Sequence, residues 1–339
     1  MKKFKSYLLA VAMISLFFVS CSNSSGSSGS SDKEKDPTTN TDPQTPDDTV
    51  TLDKTFTGTT LRYLEAGTDG SFGDKKTYVL YGDWPQTKKA DSVTIDKSIK
   101  VEIGYFTYYK GSDNGWYAQP YDNFEDYYKV EPIKWVILTE NYNDEGKKLL
   151  FSEVPFNSLV YYNYSADRTD SQNKIIKWNN YEHSRIRAYL NGLGFMIKTG
   201  ETEEITTENT YKDKGAYQTA FTKEIRDQIL ETRIETTITR DMSTAEKILT
   251  NEKLFLLDKN EVDTLIGHGT QARKRKLTDY VRRISSYNDN DFIWTLRGIS
   301  ETSLTNKYQM VDYIDQDGAI KELQGLSIGG CIFPVMCIK

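Results

Sequence analysis

Catalysis needs a nucleophile beside a base, paired carboxylates or clustered metal ligands, and this chain offers few of them. Histidine occurs only at His183 and His268, and neither sits in an H-x-x-x-H, G-x-S-x-G or C-x-x-C setting. That removes most histidine-rich metal sites and leaves a Ser-His-Asp triad two places to form. The 49 acids are plentiful, yet no spacing singles out a general acid and its base. Cys331 and Cys337 lie in the closing "CIFPVMCIK". On one strand they would share a face about 20 Å apart, beyond the roughly 7 Å between Cα atoms that a disulfide spans. Both read as small buried apolar residues. Cys21 differs, because it ends an apolar run and opens ten residues of only Ser, Asn and Gly. The densest cluster able to hold a ligand is Tyr105–Tyr128, with ten aromatics in 24 residues among Asp, Asn, Gly and Gln. A ring can stack on a sugar or peptide while amides and carboxylates bond its edge. Within "GSDNGWYAQPYD", Trp116, Tyr117 and Tyr121 are the candidate faces, and Asp113, Asn114 and Gln119 the polar partners. The same rings could instead fill a core while the glycines make turns.

The surroundings of Cys21 say where such a site would be held. Lys2, Lys3 and Lys5 precede an apolar run from Tyr7 to Val19. As a helix that run spans about 20 Å, short of the roughly 30 Å hydrocarbon core, so it reads as a signal peptide. Phe18-Val19-Ser20-Cys21 resembles a bacterial lipobox, in which the Cys is acylated and becomes the new N-terminus. Phe18 stands where Leu is usual, a departure seen in the relaxed lipoboxes of spirochaetes. Cleavage near Ser22 with free secretion is the alternative. Ser22–Ser31 has no side chain able to offset the entropy of ordering, and Asp32–Val50 adds Pro37, Pro43 and Pro46. As coil, this tether reaches about 30 Å. Loss of the leader's three lysines takes the charge from −6 to −9, so anionic lipid would repel the body and acyl chains must hold it.

The remaining chain, 52–339, reads as one globular domain, with 1–20 as signal peptide and 21–51 as lipidated tether. The full chain has 339 residues, 37% apolar, and a mean hydropathy of −0.62. It carries no basic cluster to neutralise phosphates, so nucleic acid is not an expected partner. Thr77–Gln86 and Lys134–Glu140 have strand composition, and "KKLLFSEVPF" follows across "NYNDEG" as a hairpin. Asn179–Phe195 reads as a helix with Asn180 as cap, Gly192 as stop and Ile186, Tyr189, Leu190 and Leu193 inward. Phe221–Leu230 gives a second, capped by Thr222. Asp258 and Glu261 form a capping box, and "DYVRRI" is a further helix. Strands return at Asp291–Gly298, on both sides of Asp315–Gly318, and in "GGCIFPVMCI". Strands, then helices, then strands make an α+β fold of mixed or antiparallel sheet with several short helices.

Six segments, "YVLYGDWPQ", "YYKGSDNGWYAQ", "YKVEPIKWVIL", "NNYEHSRIRAYLNGLGF", "QTAFTKEIRDQI" and "FIWTLRGIS", resemble in order a domain of unknown function. That domain is abundant in treponemal lipoproteins and occurs in firmicutes, and the likeness covers about residues 75–339. Its members usually read W-W-L-R-S-P where this chain has Ile293–Gly298, which puts any role of that serine in doubt. They often end V-[RV]-P-A-L, where this chain has Ile332–Met336. The tail is also similar to bacterial C-type-lectin-like domains, whose terminal strand pairs near the first, and the likeness implies that fold. Gln119-Pro120 is similar to the calcium loop of sugar-binding C-type lectins, but Trp178-Asn179-Asn180 lacks the carboxylate ligand, and Asn288–Asp291 lacks the Gly and distant Glu of a calcium loop. No metal or cofactor is expected. In the helix at 179–195, Arg187 and Asn191 read as fold-specifying hydrogen-bonders, Glu182 as a partner for Arg185, and the basic run Gln271–Leu277 as a solvated face.

The expectation is therefore a lipid-anchored envelope or surface lipoprotein, on the periplasmic or outer side. It would act as a binding or adhesion module for a glycan or a host or envelope protein. A glycan-acting envelope enzyme and a purely structural protein are the alternatives. Two facing carboxylates in a pocket would favour the enzyme.

Overall fold

Tyr78–Lys88 and Tyr128–Tyr142 run antiparallel at the centre of the largest sheet. Both alternate aromatic with β-branched residues, and Tyr78, Val79, Tyr81, Trp84, Ile133, Trp135 and Val136 are all buried. The structure, a computed structural model, describes residues 62–64, 76–119, 125–159, 168–170, 172–177, 179–195, 197–199, 203–205, 211–285, 287–288, 291–306, 309–324 and 329–339. The leader, Cys21, the tether and Tyr121 lie outside the described residues. Among the described residues, no helix is long and apolar enough to cross a membrane.

The eight-stranded sheet continues on one side through Trp116–Ala118, Phe106–Gly111 and Ile95–Ile103. Further along that same edge of the long strand, at Trp135–Tyr142, lies Lys147–Ser152, and against it the terminal Val335–Ile338. The expected hairpin turn is present. Asn143 and Asp144 take positive φ of 53° and 58°, and the Asn141 side chain accepts from Gly146 N at 2.7 Å. A second, five-stranded sheet runs Ile320–Gln324, Met310–Ile314, Trp294–Ile299, Gly330–Ile332, Asn157–Leu159. The fold is thus α+β, with mostly antiparallel sheets and short helices.

"GGCIFPVMCI", expected as one strand, is two. Gly330–Ile332 joins the second sheet and Val335–Ile338 the first, with the break at Phe333-Pro334. Proline has no N–H for a ladder, and here its carbonyl accepts from Ser152 N at 3.0 Å as the chain changes sheets. Cys331 and Cys337 accordingly lie in different sheets, both buried and free. The terminal strand pairs with Lys147–Ser152, in the same sheet as Tyr78–Lys88.

Indoles fasten the layers. Trp84 stacks on Phe156 at 4.4 Å, and its Nε1 donates to the Phe156 carbonyl at 3.0 Å. Trp135 Nε1 donates to the Tyr81 carbonyl at 2.7 Å, so neither buried indole leaves its donor unmet.

The helix read at 179–195 forms, but one cap differs. Ser184, and not Asn180, caps Arg185–Asn191, because Asn180 starts a separate turn at Tyr181–His183. Gly192 ends the helix at φ 67°. Arg187 donates to Glu252 at 2.5 Å, and Asn191 Nδ2 donates to Glu252 and to the Leu254 carbonyl, both at 2.8 Å. Asn191 Oδ1 accepts from Lys253 N and Leu254 N, so these two residues hold the helix to the chain at 252–254. Glu182 faces Arg240 at 3.2 Å, while Arg185 donates to the Tyr211 hydroxyl, which corrects the expected Glu182–Arg185 pair. The basic run at 271–277 is not a solvated face either. Gln271–Arg273 lies in a short helix, Lys274–Leu277 follows without regular structure, and Arg273 and Arg275 turn inward. Arg273 meets Asp263 at 2.5 Å, and Arg275 lies 4.7 Å from the Phe151 ring centroid.

One hairpin was not expected. Thr232–Thr239 pairs with Ala245–Glu252 across a turn in which the Asp241 carboxylate accepts from Ser243 N and Thr244 N at 2.9 and 2.8 Å. Its first strand alternates inward Thr232, Ile234, Thr236 and Ile238 with outward Arg233 and Glu235.

Trp116 is 4% exposed in the main aromatic core. Trp116→Ala is therefore expected to cost about 3–5 kcal/mol of stability, checked by denaturant unfolding with the full chain. A change below about 1 kcal/mol would place the ring outside the core.

Candidate functional site

The residues singled out in "GSDNGWYAQPYD" do not converge on an open face. Trp116 and Tyr117 are 4% and 2% exposed, so their rings are not free to stack on a ligand, which corrects that expectation for both. They sit on a short strand hydrogen-bonded on both sides, with Trp116 packed into the main core and Tyr117 against Val93 and Tyr127. Asp113 organises the turn before them: it accepts from Gly115 N at 2.9 Å and from the Tyr117 hydroxyl at 2.8 Å. Asn114 is exposed at φ 62°, as that turn requires, and Gln119 is half-buried just past the strand. Tyr121 is outside the described residues.

A cleft of about 440 Å³ opens elsewhere, among segments distant in sequence. The unexpected hairpin supplies Thr236 and Thr237, the capping-box turn Asp258, Lys259 and Asn260, and the second sheet Arg297–Glu301 and Asp312. Its size is in the range of pockets that hold small molecules.

Arg297 ties the walls together. A bulge follows it, with the ladder register shifting between Thr295 and Ile299 and Gly298 at φ 93°. The guanidinium grips Glu261 through two nitrogens at 2.5 and 3.1 Å and reaches Asp258 at 3.2 Å. It also donates to the Leu256 carbonyl at 2.8 Å, the Glu235 carbonyl at 3.2 Å and Thr236 Oγ1 at 3.2 Å. Every face of the fork is used, so Arg297 is a structural tie and not a free ligand-binding cation. Burial opposes the charge on Glu261, but Arg297 and the Tyr142 hydroxyl outweigh it and hold that carboxyl below the usual range. The expected capping box is present in full: Glu261 N donates to Asp258 and Asp258 N to Glu261, both at 2.8 Å.

Asp312 is the unmatched group. It is 6% exposed, it lines the cleft, and its Oδ1 is buried without a hydrogen-bond partner among the described residues. Its cross-strand neighbour is Glu322, which accepts from the Ser300 hydroxyl and, at 2.6 Å, from the Thr302 hydroxyl. The two carboxyls therefore diverge. Burial pushes Asp312 up to about 6, helped by Glu322, Glu301 and Asp258 and opposed by Lys259. Burial also works on Glu322, but the two hydroxyl donors more than offset it and lower its pKa. Such divergent neighbours are a recognised mark of functional sites. Among the described residues no group of His, Cys, Asp and Glu is arranged to hold a metal ion.

Sequence reasoning had Arg297, Asp258 and Glu261 in view as motif and cap, but missed Asp312 and Glu322. One signal was available: an acid inside the apolar strand "MVDYI", where burial of a charge needs a reason.

The chain belongs to the family described as a domain of unknown function, DUF6273, which matches residues 134–339. "YVLYGDWPQ" and "YYKGSDNGWYAQ" precede the matched span, so the likeness read across 75–339 is shown for its larger, C-terminal part. No curated protein and no solved structure matches the chain.

Two outcomes follow from this geometry. Arg297→Ala leaves Glu261 buried without its cation and is expected to cost about 3–5 kcal/mol, read from chemical denaturation. For Asp312 the folded pKa lies above the ordinary carboxylate value, so the native state binds the extra proton and stability falls as pH rises from about 4 to about 6. Asp312→Asn should remove that fall and stabilise the protein by about 2 kcal/mol at pH 7, with little effect at pH 4. Unfolding curves at the two pH values check it, and an equal effect at both would count against the assignment.

Proposed function

We propose that this protein is a lipid-anchored lipoprotein of the bacterial cell envelope, and that its folded part, C-type-lectin-like in kind, binds a polar ligand in the cleft beside Arg297. The observation that carries the binding reading is Asp312, a buried carboxyl with an oxygen that lacks any donor among the described residues. A group of that kind is costly unless something else satisfies it, and a ligand with N–H or O–H donors would do so. The ring-lined loop at 105–128 no longer serves as the binding face, because Trp116 and Tyr117 are interior. A glycan or an envelope or host protein side chain remains a suitable ligand class, because hydroxyls and amines are donors.

Anchoring rests on the sequence around Cys21. Acyl chains at that thiol would fix the acidic body to a bilayer, and the polar tether would hold it clear. A second reading, a glycan-acting envelope enzyme, is favoured by the neighbouring carboxyls Asp312 and Glu322 with their opposed proton affinities. On that reading Asp312 would donate a proton and Glu322 would act as the anion.

Metabolic labelling with a palmitate analogue is expected to mark the mature protein and to leave Cys21→Ala unmarked; an unmarked wild type would remove the anchor. For the cleft, the full chain in detergent would be screened on a glycan and envelope-extract array beside Thr237→Trp, which fills the cleft mouth. Binding lost in the variant supports the reading, and binding untouched by it would defeat it. Release of reducing ends from envelope glycan, abolished in Asp312→Asn, would favour the enzyme.

A further inference from the structure

The charges around the cleft narrow the ligand further than its shape does. Lys247 is taken up by Glu235 at 2.5 Å, and Arg297 by Glu261 and Asp258. Among the described lining residues that leaves Lys259 as the cation acting on Asp312 and Glu322. Counting the lining residues, their ion-pair partners and Glu322, the cross-strand neighbour of Asp312, six carboxylates stand against three cations. An anionic ligand would enter against this field, and a neutral one would leave the excess uncompensated. Asp312 adds the specific feature: a buried oxygen with no donor, at the cleft wall, beside a neighbour whose own oxygens are already bonded by Ser300 and Thr302. An ammonium group supplies both what the oxygen lacks and what the field lacks, an N–H donor and a positive charge.

We infer that the cleft is a recognition site for a protonated primary amine on a small polar molecule, with Asp312 as the residue that receives it. This rests on the reading of the cleft as the ligand site and specifies its ligand. Asp258 and Glu301 would strengthen the field without replacing that contact, since Asp258 is already committed to Arg297 and to Glu261 N. Ile299 and Leu304 give the cleft its short apolar wall, fit for a carbon skeleton behind the amine. Acid should release such a ligand. Below about pH 6 Asp312 takes up its proton against the opposing pull of Lys259, with Glu322, Glu301 and Asp258 favouring uptake, and its charge is lost.

The test is calorimetric titration of the full chain in detergent at pH 7 with four probes: glucosamine, putrescine, N-acetylglucosamine and glucose. Glucosamine and putrescine are expected to bind, and the two neutral sugars to bind at least tenfold more weakly. Asp312→Asn, whose fold is checked by circular dichroism, is expected to weaken both amines at least tenfold. Their affinity should fall about tenfold for each pH unit below about 6. Two results would overturn the inference while leaving the cleft as the ligand site: glucose binding as tightly as glucosamine with both lost in Thr237→Trp, or the neutral sugars alone binding. Amines that bind Asp312→Asn and Thr237→Trp as well as the wild type would sink both the inference and the cleft reading. Failure of both amines to bind the wild type would overturn the inference outright.

Discussion

The buried tie between Arg297 and Glu261 is the constraint on which the cleft depends. A guanidinium at that depth survives only if each of its donors is met, and the partners that meet them come from two separate pieces of chain, 235–236 and 256–261. The hairpin strand gives Thr236 and the Glu235 carbonyl, the capping-box turn gives Glu261 and Asp258, and the 256–257 segment gives the Leu256 carbonyl and receives Arg297 N at the Leu257 carbonyl. Satisfying one side chain thus fixes the relative positions of the cleft walls. Tyr142, from the long central strand, joins the same knot by donating to Glu261, so the site is also linked to the first sheet.

Around this knot the aromatic core sets the distance between layers. Trp84 and Trp135 are long, flat and each bonded to a backbone carbonyl, which fixes orientation as well as volume. The terminal run adds a covalent stitch: by changing sheets at Pro334 it contributes Cys331 to one sheet and Cys337 to the other. Bonds from Leu230 N to the Cys337 carbonyl and between Phe255 and Val335 extend that stitch to the helical half.

Beside so well satisfied a knot, Asp312 is an exception of the opposite kind. Arg297 and Glu261 are buried charges whose partners cancel them; Asp312 is a buried carboxyl beside like charges with its partner missing. A fold selected for stability alone would place an apolar residue there, because burying an unmet acid costs free energy and returns none. Stability given up at a concave surface is the usual trace of binding or catalysis.

Local sequence was enough to determine the long strands, the hairpin turn at 143–146, the Thr222 and Asp258 caps, and the α+β class, because each depends on residues within a turn or two of one another. It also placed Arg187 and Asn191 as structural bonds, and it carried the whole of the argument about Cys21. What it left ambiguous was decided by packing. The aromatics at 105–128 could have been a surface or a core, and the choice fell to the sheet that buries Trp116 and Tyr117. The arginines of 271–277 look solvated by composition, yet backbone carbonyls, Asp263 and aromatic faces brought from elsewhere receive them. The cleft itself was invisible in the sequence, since its walls come from residues 236–312 and hairpin, turn and strand meet only once the chain has folded. Whether an acid is a surface charge or a functional group depends on its solvent and its neighbours, and for Asp312 only the tertiary structure supplies both.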